Sequence, residues 1–170
     1  MQTQENTPPL NIQDLTETLK TRFGEVHISL KEGKMRPEIL ISPAVMREVA
    51  FFLRDEEGLR FNYLMCLSGI HYKTKKEDQL AVVYHLNAMQ LGYKLNLKVL
   101  LHIENPRLSS VEQVWKTADW HEREIYDMYG IEFEGHPDMR RILCPDDWTG
   151  YPLRKDYEPQ NSYGGITTEY

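Results

Sequence analysis

A chain of 170 residues with 41% hydrophobic and 27% charged positions has the length and composition of one ordinary globular domain with a real core. Its formal charge of -6 argues against a general nucleic-acid binder, which would show a basic face. No run of about 18 apolar residues occurs, so no segment is expected to cross a bilayer by itself.

Residues 1–9 are polar, end in Pro8-Pro9 and lack the basic and apolar regions of a secretory signal, so they read as a flexible leader. From there Leu10, Ile12, Leu15, Leu19 and Phe23 recur at helical spacing, with Gly24 placed to stop the helix. "VHISL" alternates as a half-buried strand does, "EGKM" supplies a turn and "EILI" a second strand. Ser42-Pro43 opens a helix, with a hydroxyl able to cap it and a proline where the missing N–H costs nothing. Val45, Met46, Val49, Phe52 and Leu53 would form its buried stripe, ending before Gly58. Three further strands follow as a meander: "FNYLMCLSGIHY", "QLAVVYHLNA" and "YKLNLKVLLHI". In the last, Tyr93, Leu95, Leu97 and Val99 alternate with Lys94, Asn96 and Lys98, one face meeting the core and the other water.

This order predicts an α+β fold over residues 10–137: two layers, a mixed β-sheet with helices packed on one face. After it, residues 138–170 are punctuated by Pro145, Gly150, Pro152, Pro159, Gly164 and Gly165, which predicts an irregular, extended C-terminal tail. That tail carries Ile142, Leu143, Trp148, Tyr151, Leu153 and Tyr157, apolar surface that has to be covered, and so it is expected to bind a partner.

Most of the chemistry lies in "HEREIYDMYGIEFEGHPDMRRIL", residues 121–143. Asp119 and Glu122 have reciprocal-cap spacing, and Gly130 suits a helix C-terminus. On a helical wheel Ile125, Tyr126, Met128 and Tyr129 share one arc, with Trp120, Arg123, Glu124 and Asp127 on the other. Arg123 and Asp127 could then pair at i, i+4 for about 0.3 to 0.5 kcal/mol. Glu122 falls within the apolar arc, where a carboxylate needs a cation or several donors; Arg140 or Arg141 could fold back to it. Bracing of the loop, proton transfer and pairing across a subunit boundary remain open for Glu122 and Glu124. A zinc helix is disfavoured because position 125 is Ile where a second histidine would stand. His136 reads as a loop-fixing hydrogen-bonder, with a redox-coupled or ligand role as the alternative. His27, His71, His85 and His102 look like sheet residues. Cys66 and Cys144 read as two isolated buried thiols, too few for an iron–sulfur cluster. Nucleotide-binding glycine motifs and a nucleophile elbow are missing from the sequence.

Glu122-Arg123-Glu124, Asp127-Met128-Tyr129, His136, Arg140, Ile142 and Leu143, followed by "DW.G.PLRKDY" from Asp147 to Tyr157, resemble a family signature. It is that of the 30 kDa subunit, also called the C subunit, of NADH:quinone oxidoreductase, respiratory complex I. The likeness runs from about Leu10 to Tyr157 and is strongest from Trp115 onward. It implies a non-catalytic, cofactor-free peripheral-arm component at the cytoplasmic face of the inner membrane. Its partners would be the large hydrogenase-like D subunit and the small cluster-bearing B subunit, with FMN and Fe–S clusters held by other chains. Quinone would be met only indirectly, the membrane only through partners, and nucleic acid not at all. Carried onto this chain, the interface or signature residues are Glu122, Arg123, Glu124, Asp127, His136, Arg140, Arg141, Trp148, Arg154, Lys155 and Tyr157. No catalytic, cofactor-binding or metal residue is implied. Two alternatives stay open: the same role in a ferredoxin- or NADPH-linked complex, and a free-standing acid–base enzyme using Glu122, Glu124 and His136.

Overall fold

The computed structural model describes residues 10–31, 37–74 and 78–167. The leader at 1–9 and the "EGKM" turn lie outside the described residues. Helix α1 (Ile12–Phe23) starts on Asn11, whose side chain accepts the Gln13 N–H, and stops at Gly24. Strands β1 (Ile28–Lys31) and β2 (Glu38–Ile41) pair antiparallel. Helix α2 (Met46–Asp55) is preceded by a 3₁₀ turn over Pro43–Val45. Ser42 makes no capping bond through its hydroxyl, contrary to the sequence expectation, because the proline begins a 3₁₀ turn rather than the α-helix itself.

The expected meander is present as β3 (Tyr63–Lys73), β4 (Asp78–Ala88) and β5 (Tyr93–His102). The sheet order is β1-β2-β5-β4-β3, with β2 parallel to β5 and every other pairing antiparallel, so the sheet is mixed. In register, Leu80, Val82, Tyr84 and Leu86 of β4 stand beside Leu101, Val99, Leu97 and Leu95 of β5. All eight belong to one core with Leu15 and Leu19 of α1 and with Met46, Val49, Ala50 and Leu53 of α2. The intervening Ala81 and Val83 are buried but stand outside that core, because a period of two sends them to the opposite face. The helices therefore cover one face of the sheet, in two layers. On the other face Lys98 reaches Glu38 and lies 5.8 Å from the Tyr72 ring, while His85 Nδ1 meets Asn96 Oδ1 at 2.9 Å.

Strands β6 (Arg107–Ser109) and β7 (Glu132–Glu134) form a parallel ribbon on either side in sequence of helix α3 (Ala118–Tyr129). Trp115 is buried and donates its indole N–H to Phe61 O at 2.8 Å, tying this excursion to the start of β3. Beyond residue 137 the described chain consists of turns and bends with one short hairpin, β8 (Ser162–Tyr163) and β9 (Ile166–Thr167). Residues 140–157 run back along α3 and β3, held by hydrogen bonds from Leu153 N–H to Met128 O and from Lys155 N–H to His71 Nδ1.

Candidate functional site: the acidic helix and its clasp

Helix α3 ends where Gly130 takes φ 70°, and the Gly130 N–H closes on Tyr126 O at 2.8 Å. Its start differs from the expected one. Thr117 is the N-cap and makes no side-chain capping bond, and the Asp119–Glu122 reciprocal cap is not made. Glu122 is occupied elsewhere, accepting Ser110 Oγ–H at 2.6 Å and Val111 N–H at 2.8 Å with no exposed surface. Those two neutral donors, rather than Arg140 or Arg141, are its partners. Burial pushes its carboxyl up to about 7; the Ser110 and Val111 bonds pull the other way, and the charges of Glu112 and Asp119 add to the rise. Tyr84, buried within reach of that charge, has its hydroxyl held well above its ordinary value by burial and then by Glu122.

The proton on Glu122 has a consequence for stability. Between its ordinary value of 4.5 and about 7 the folded chain keeps a proton that the unfolded chain has lost. The stabilisation is complete below about pH 4.5, declines as pH rises to about 7, and amounts to about 3 kcal/mol. Glu122→Gln keeps an acceptor for Val111 and offers an amide to Ser110. It should flatten stability between pH 5 and 8 and make the protein more stable at pH 8 by about 1 to 3 kcal/mol. Denaturant unfolding at the two pH values measures this, and an unchanged pH slope in the variant would count against it.

A helical wheel puts Arg123 and Asp127 on a solvent arc, paired to each other; in the structure both are buried and they are not paired. The physical reason is a second layer: β3 covers one side of α3, and the returning chain at 138–144 covers another. Asp127 is fully buried and gathers that return onto itself. Its Oδ1 takes Arg141 Nη1–H at 2.6 Å. Its Oδ2 takes the consecutive N–H groups of Ile142, Leu143 and Cys144 at 3.0, 2.7 and 2.9 Å, and its carbonyl takes Arg141 Nη1–H again at 3.2 Å. Burial alone would raise this carboxyl, but the N–H groups of Cys144 and Leu143, the Arg141 guanidinium and the Ile142 N–H together hold it below its ordinary value. Arg123 instead lies over the Trp120 ring at 4.8 Å, with Asp138 at 3.7 Å.

Arg141 also donates to Gly150 O at 3.0 Å. Its guanidinium lies 5.4 Å from the Tyr151 ring, and Arg154 lies 4.7 Å from the same ring while donating to Tyr129 O at 2.6 Å. Arg140 points outward and, among the described residues, its side chain pairs only locally, with Asp138. The His136 side chain is buried, with Nε2 3.2 Å from Asp119 O and Nδ1 accepting the Asp138 N–H at 3.0 Å, so it pins the Gly-His-Pro loop to the first turn of α3. Trp148 is half-buried against Tyr163, and Tyr163 donates to Asp147 Oδ1 at 2.8 Å. Lys155 engages through its backbone rather than its ammonium. Glu124 is exposed at the mouth of a cavity between α3 and β3. Cys66 and Cys144 are free and half-buried, where full burial was expected; each lies at the margin of the α3 packing rather than in the sheet core.

Several residues of this clasp carry no sequence motif. Ser110 lies in an ordinary "LSSVE" loop. His71, read as a sheet residue, is a tether: it is buried, takes the Lys155 N–H on Nδ1, and reaches Asp78 Oδ1 with Nε2 at 2.7 Å. Three glycines each seat a tyrosine: a Cβ at Gly69 would lie 2.5 Å from the Tyr129 ring, at Gly130 2.4 Å from Tyr151, and at Gly150 3.0 Å from Tyr157.

Among the described residues no group of three or more His, Cys, Asp or Glu is arranged to hold a metal ion, and no helix is long and apolar enough to cross a membrane. A model of the family described as "Respiratory-chain NADH dehydrogenase, 30 Kd subunit" matches residues 39–163, which take in α3, its glycine end and the whole clasp. The chain belongs to this family. Among members of the 30 kDa subunit family, the NADH-quinone oxidoreductase C subunit of Chloroherpeton thalassium is 48% identical over 168 residues, 98% of this chain and 69% of that protein. Its counterpart from Chlorobium phaeobacteroides is 42% identical over 157 residues, 91% of this chain and 93% of its own length. Among solved structures, the trypsin-resistant fragment (1-134) of Nqo5 superposes with a TM-score of 0.62 at 25% identity, covering 76% of this chain and 99% of the fragment. A chain of the membrane-bound sulfane sulfur reductase, an archaeal respiratory membrane complex, reaches a TM-score of 0.68 at 21% identity, covering 86% and 85%, which speaks for the shared fold alone.

Proposed function

We propose that this 30 kDa family member is a non-catalytic, cofactor-free docking component in the peripheral arm of a proton-translocating NADH:quinone oxidoreductase. In this reading it lies at the cytoplasmic face of the inner membrane. It holds the hydrogenase-like D subunit and the small cluster-bearing B subunit near the quinone site, while electrons pass from NADH through FMN and Fe–S clusters of other chains. The observation that carries the reading is what Asp127 does. A carboxylate with three consecutive N–H groups and an arginine on it is held ionised by those donors, so it organises chain rather than taking up a proton. The chain it organises presents Leu143 at 61%, Leu153 at 53% and Ile166 at 72% exposure, beside Trp120 at 63%. Large apolar and aromatic side chains held outward on a pre-ordered surface are the composition of interface anchors.

Affinity capture of the tagged chain from native membranes tests this at low and high salt. Recovery with flavin- and cluster-bearing proteins supports it, and recovery of the chain alone under both conditions would sink it. Arg141→Ala should cut incorporation into the complex at least about fivefold, since losing the guanidinium loosens Gly150, Tyr151 and the segment beyond, a local cost of about 1 to 3 kcal/mol. Full incorporation of that variant, seen by quantitative mass spectrometry of the purified complex, would contradict the role given to the clasp.

A further inference from the structure

Among the described residues strand β3 is an outer strand of the sheet and pairs only with β4. Among the described residues its backbone at 66–70 makes no hydrogen bond outside that ladder; the C-terminal segment reaches β3 through a hydrogen bond only at His71. A free edge of this kind is a template for another strand and is normally guarded. Here the guard is partial. The register shift between Leu64 and Cys66 breaks the pairing at the start of the strand, but from 66 to 70 the register with β4 is unbroken, and no lysine or proline interrupts it.

A cavity of about 280 Å³ lies between β3 and α3, next to the point where Tyr129 packs on Gly69. Four consecutive strand residues, 66–69, line it. The cavity therefore runs along this stretch of the outer strand, on the side that α3 covers. Ile125 and Met128 form its apolar wall, and Leu153 lies against one end. Glu124, His121 and Tyr129 also line it, and no lysine or arginine does. Of the other acids on α3, Asp119 meets His136, Glu122 meets Ser110 and Val111, and Asp127 meets the clasp. Glu124 makes no hydrogen bond or ion pair to a described residue and stands exposed. A free edge, an apolar slot beside it and one uncompensated carboxylate on its rim call for a single kind of occupant.

We propose that the β3 edge at residues 66–70 is extended in the assembled enzyme by a strand from another protein of the complex, which places an arginine or lysine on Glu124. The inference rests on the docking function above. Main-chain pairing along the edge supplies affinity, the slot accepts alternate apolar side chains, and the cation on Glu124 sets the register. Arginine suits the position best because its fork can hold both carboxylate oxygens.

Amide exchange of the isolated chain is to be compared with that of the intact complex. Exchange at 66–70 should slow by about tenfold or more on assembly. Benzoylphenylalanine incorporated at position 65, where Met65 is exposed, should photo-crosslink to a peptide of a different protein that contains arginine or lysine. Glu124→Lys should lower retention of the chain in the purified complex by about tenfold, and Glu124→Gln by less, with the circular dichroism of both isolated variants unchanged. A wild-type chain that co-purifies with the complex while 66–70 exchange as fast as in isolation would overturn the proposal and leave the docking function standing. A crosslink to a second copy of this chain, or to a peptide without a basic residue, would overturn it equally. Failure of the wild-type chain to co-purify with any cluster-bearing protein would bring down the docking function and this proposal together.

Discussion

Asp127→Ala is expected to destabilise the isolated protein by about 3 kcal/mol, because it strands a partly buried guanidinium and three aligned N–H groups at once. The same change should release residues 141–157 from α3, since the Asp127 carboxylate is the point where Arg141, Ile142, Leu143 and Cys144 converge. Amide exchange at 142–144 should speed up by more than the global loss of stability accounts for. Asp127→Asn keeps one oxygen for the N–H groups and loses the ion pair, so its cost should fall near half, about 1 to 2 kcal/mol. Denaturant unfolding combined with exchange measures both effects. Parent-like stability together with parent-like protection at 142–144 in the alanine variant would show that another contact orders the segment. The contribution also has a pH signature. Because the carboxyl is held below its ordinary value of 3.8, its stabilisation is fully present above that value and is lost as acid takes pH through the lower, folded-state value. Glu122, displaced upward, acts in the opposite sense and in a different window, so the two carboxylates of one helix can be separated by titration.

Gly130→Ala should cost about 2 to 3 kcal/mol, from two sources that can be measured apart. The backbone there has φ +70°, a left-handed conformation that costs a residue with a Cβ about 1 kcal/mol or more. The added methyl would also lie 2.4 Å from the Tyr151 ring, which has Arg141 and Arg154 over it and little freedom to move. In the background of Tyr151→Ala the steric part should vanish and the left-handed part remain, so the two changes should be clearly non-additive. Additive costs would mean that the ring moves aside freely and that the glycine serves only the helix end.

The sheet and the two N-terminal helices are readable in the sequence because each rests on a local period. Tyr93 to Val99 alternate, with Lys98 departing from the expected water-facing place because it is buried against Glu38, and Leu15 and Leu19 sit one turn apart. Gly24 and Gly130 are readable as helix ends because a left-handed or otherwise unusual backbone selects glycine whatever lies beyond it. Helix α3 defeats the same reasoning, since a wheel assumes one buried side. Asp127 and Arg123 occupy the side opposite β3 and are buried by residues that arrive 14 or more positions later in the chain. Glu122 visibly needs partners, yet Ser110 and Val111 precede it by about three helical turns' length of chain and carry no motif.

The amino-acid sequence alone determined the three helices, the five strands of the main sheet, the mixed two-layer architecture, the helix-ending glycines and, through the residues from Glu122 to Tyr157, the family; the short β6–β7 ribbon and β8–β9 hairpin were not legible in it. Only the tertiary structure decided which carboxylate holds its proton near neutral pH and which is kept ionised, which arginine locks the returning chain, and which acid of α3 is left facing outward. Periodicity and glycine placement are set by interactions within a few residues along the chain, so they are written in order. The state of a charge is set by how deeply it is buried and by which donors reach it, and both depend on segments that meet only once the chain has folded.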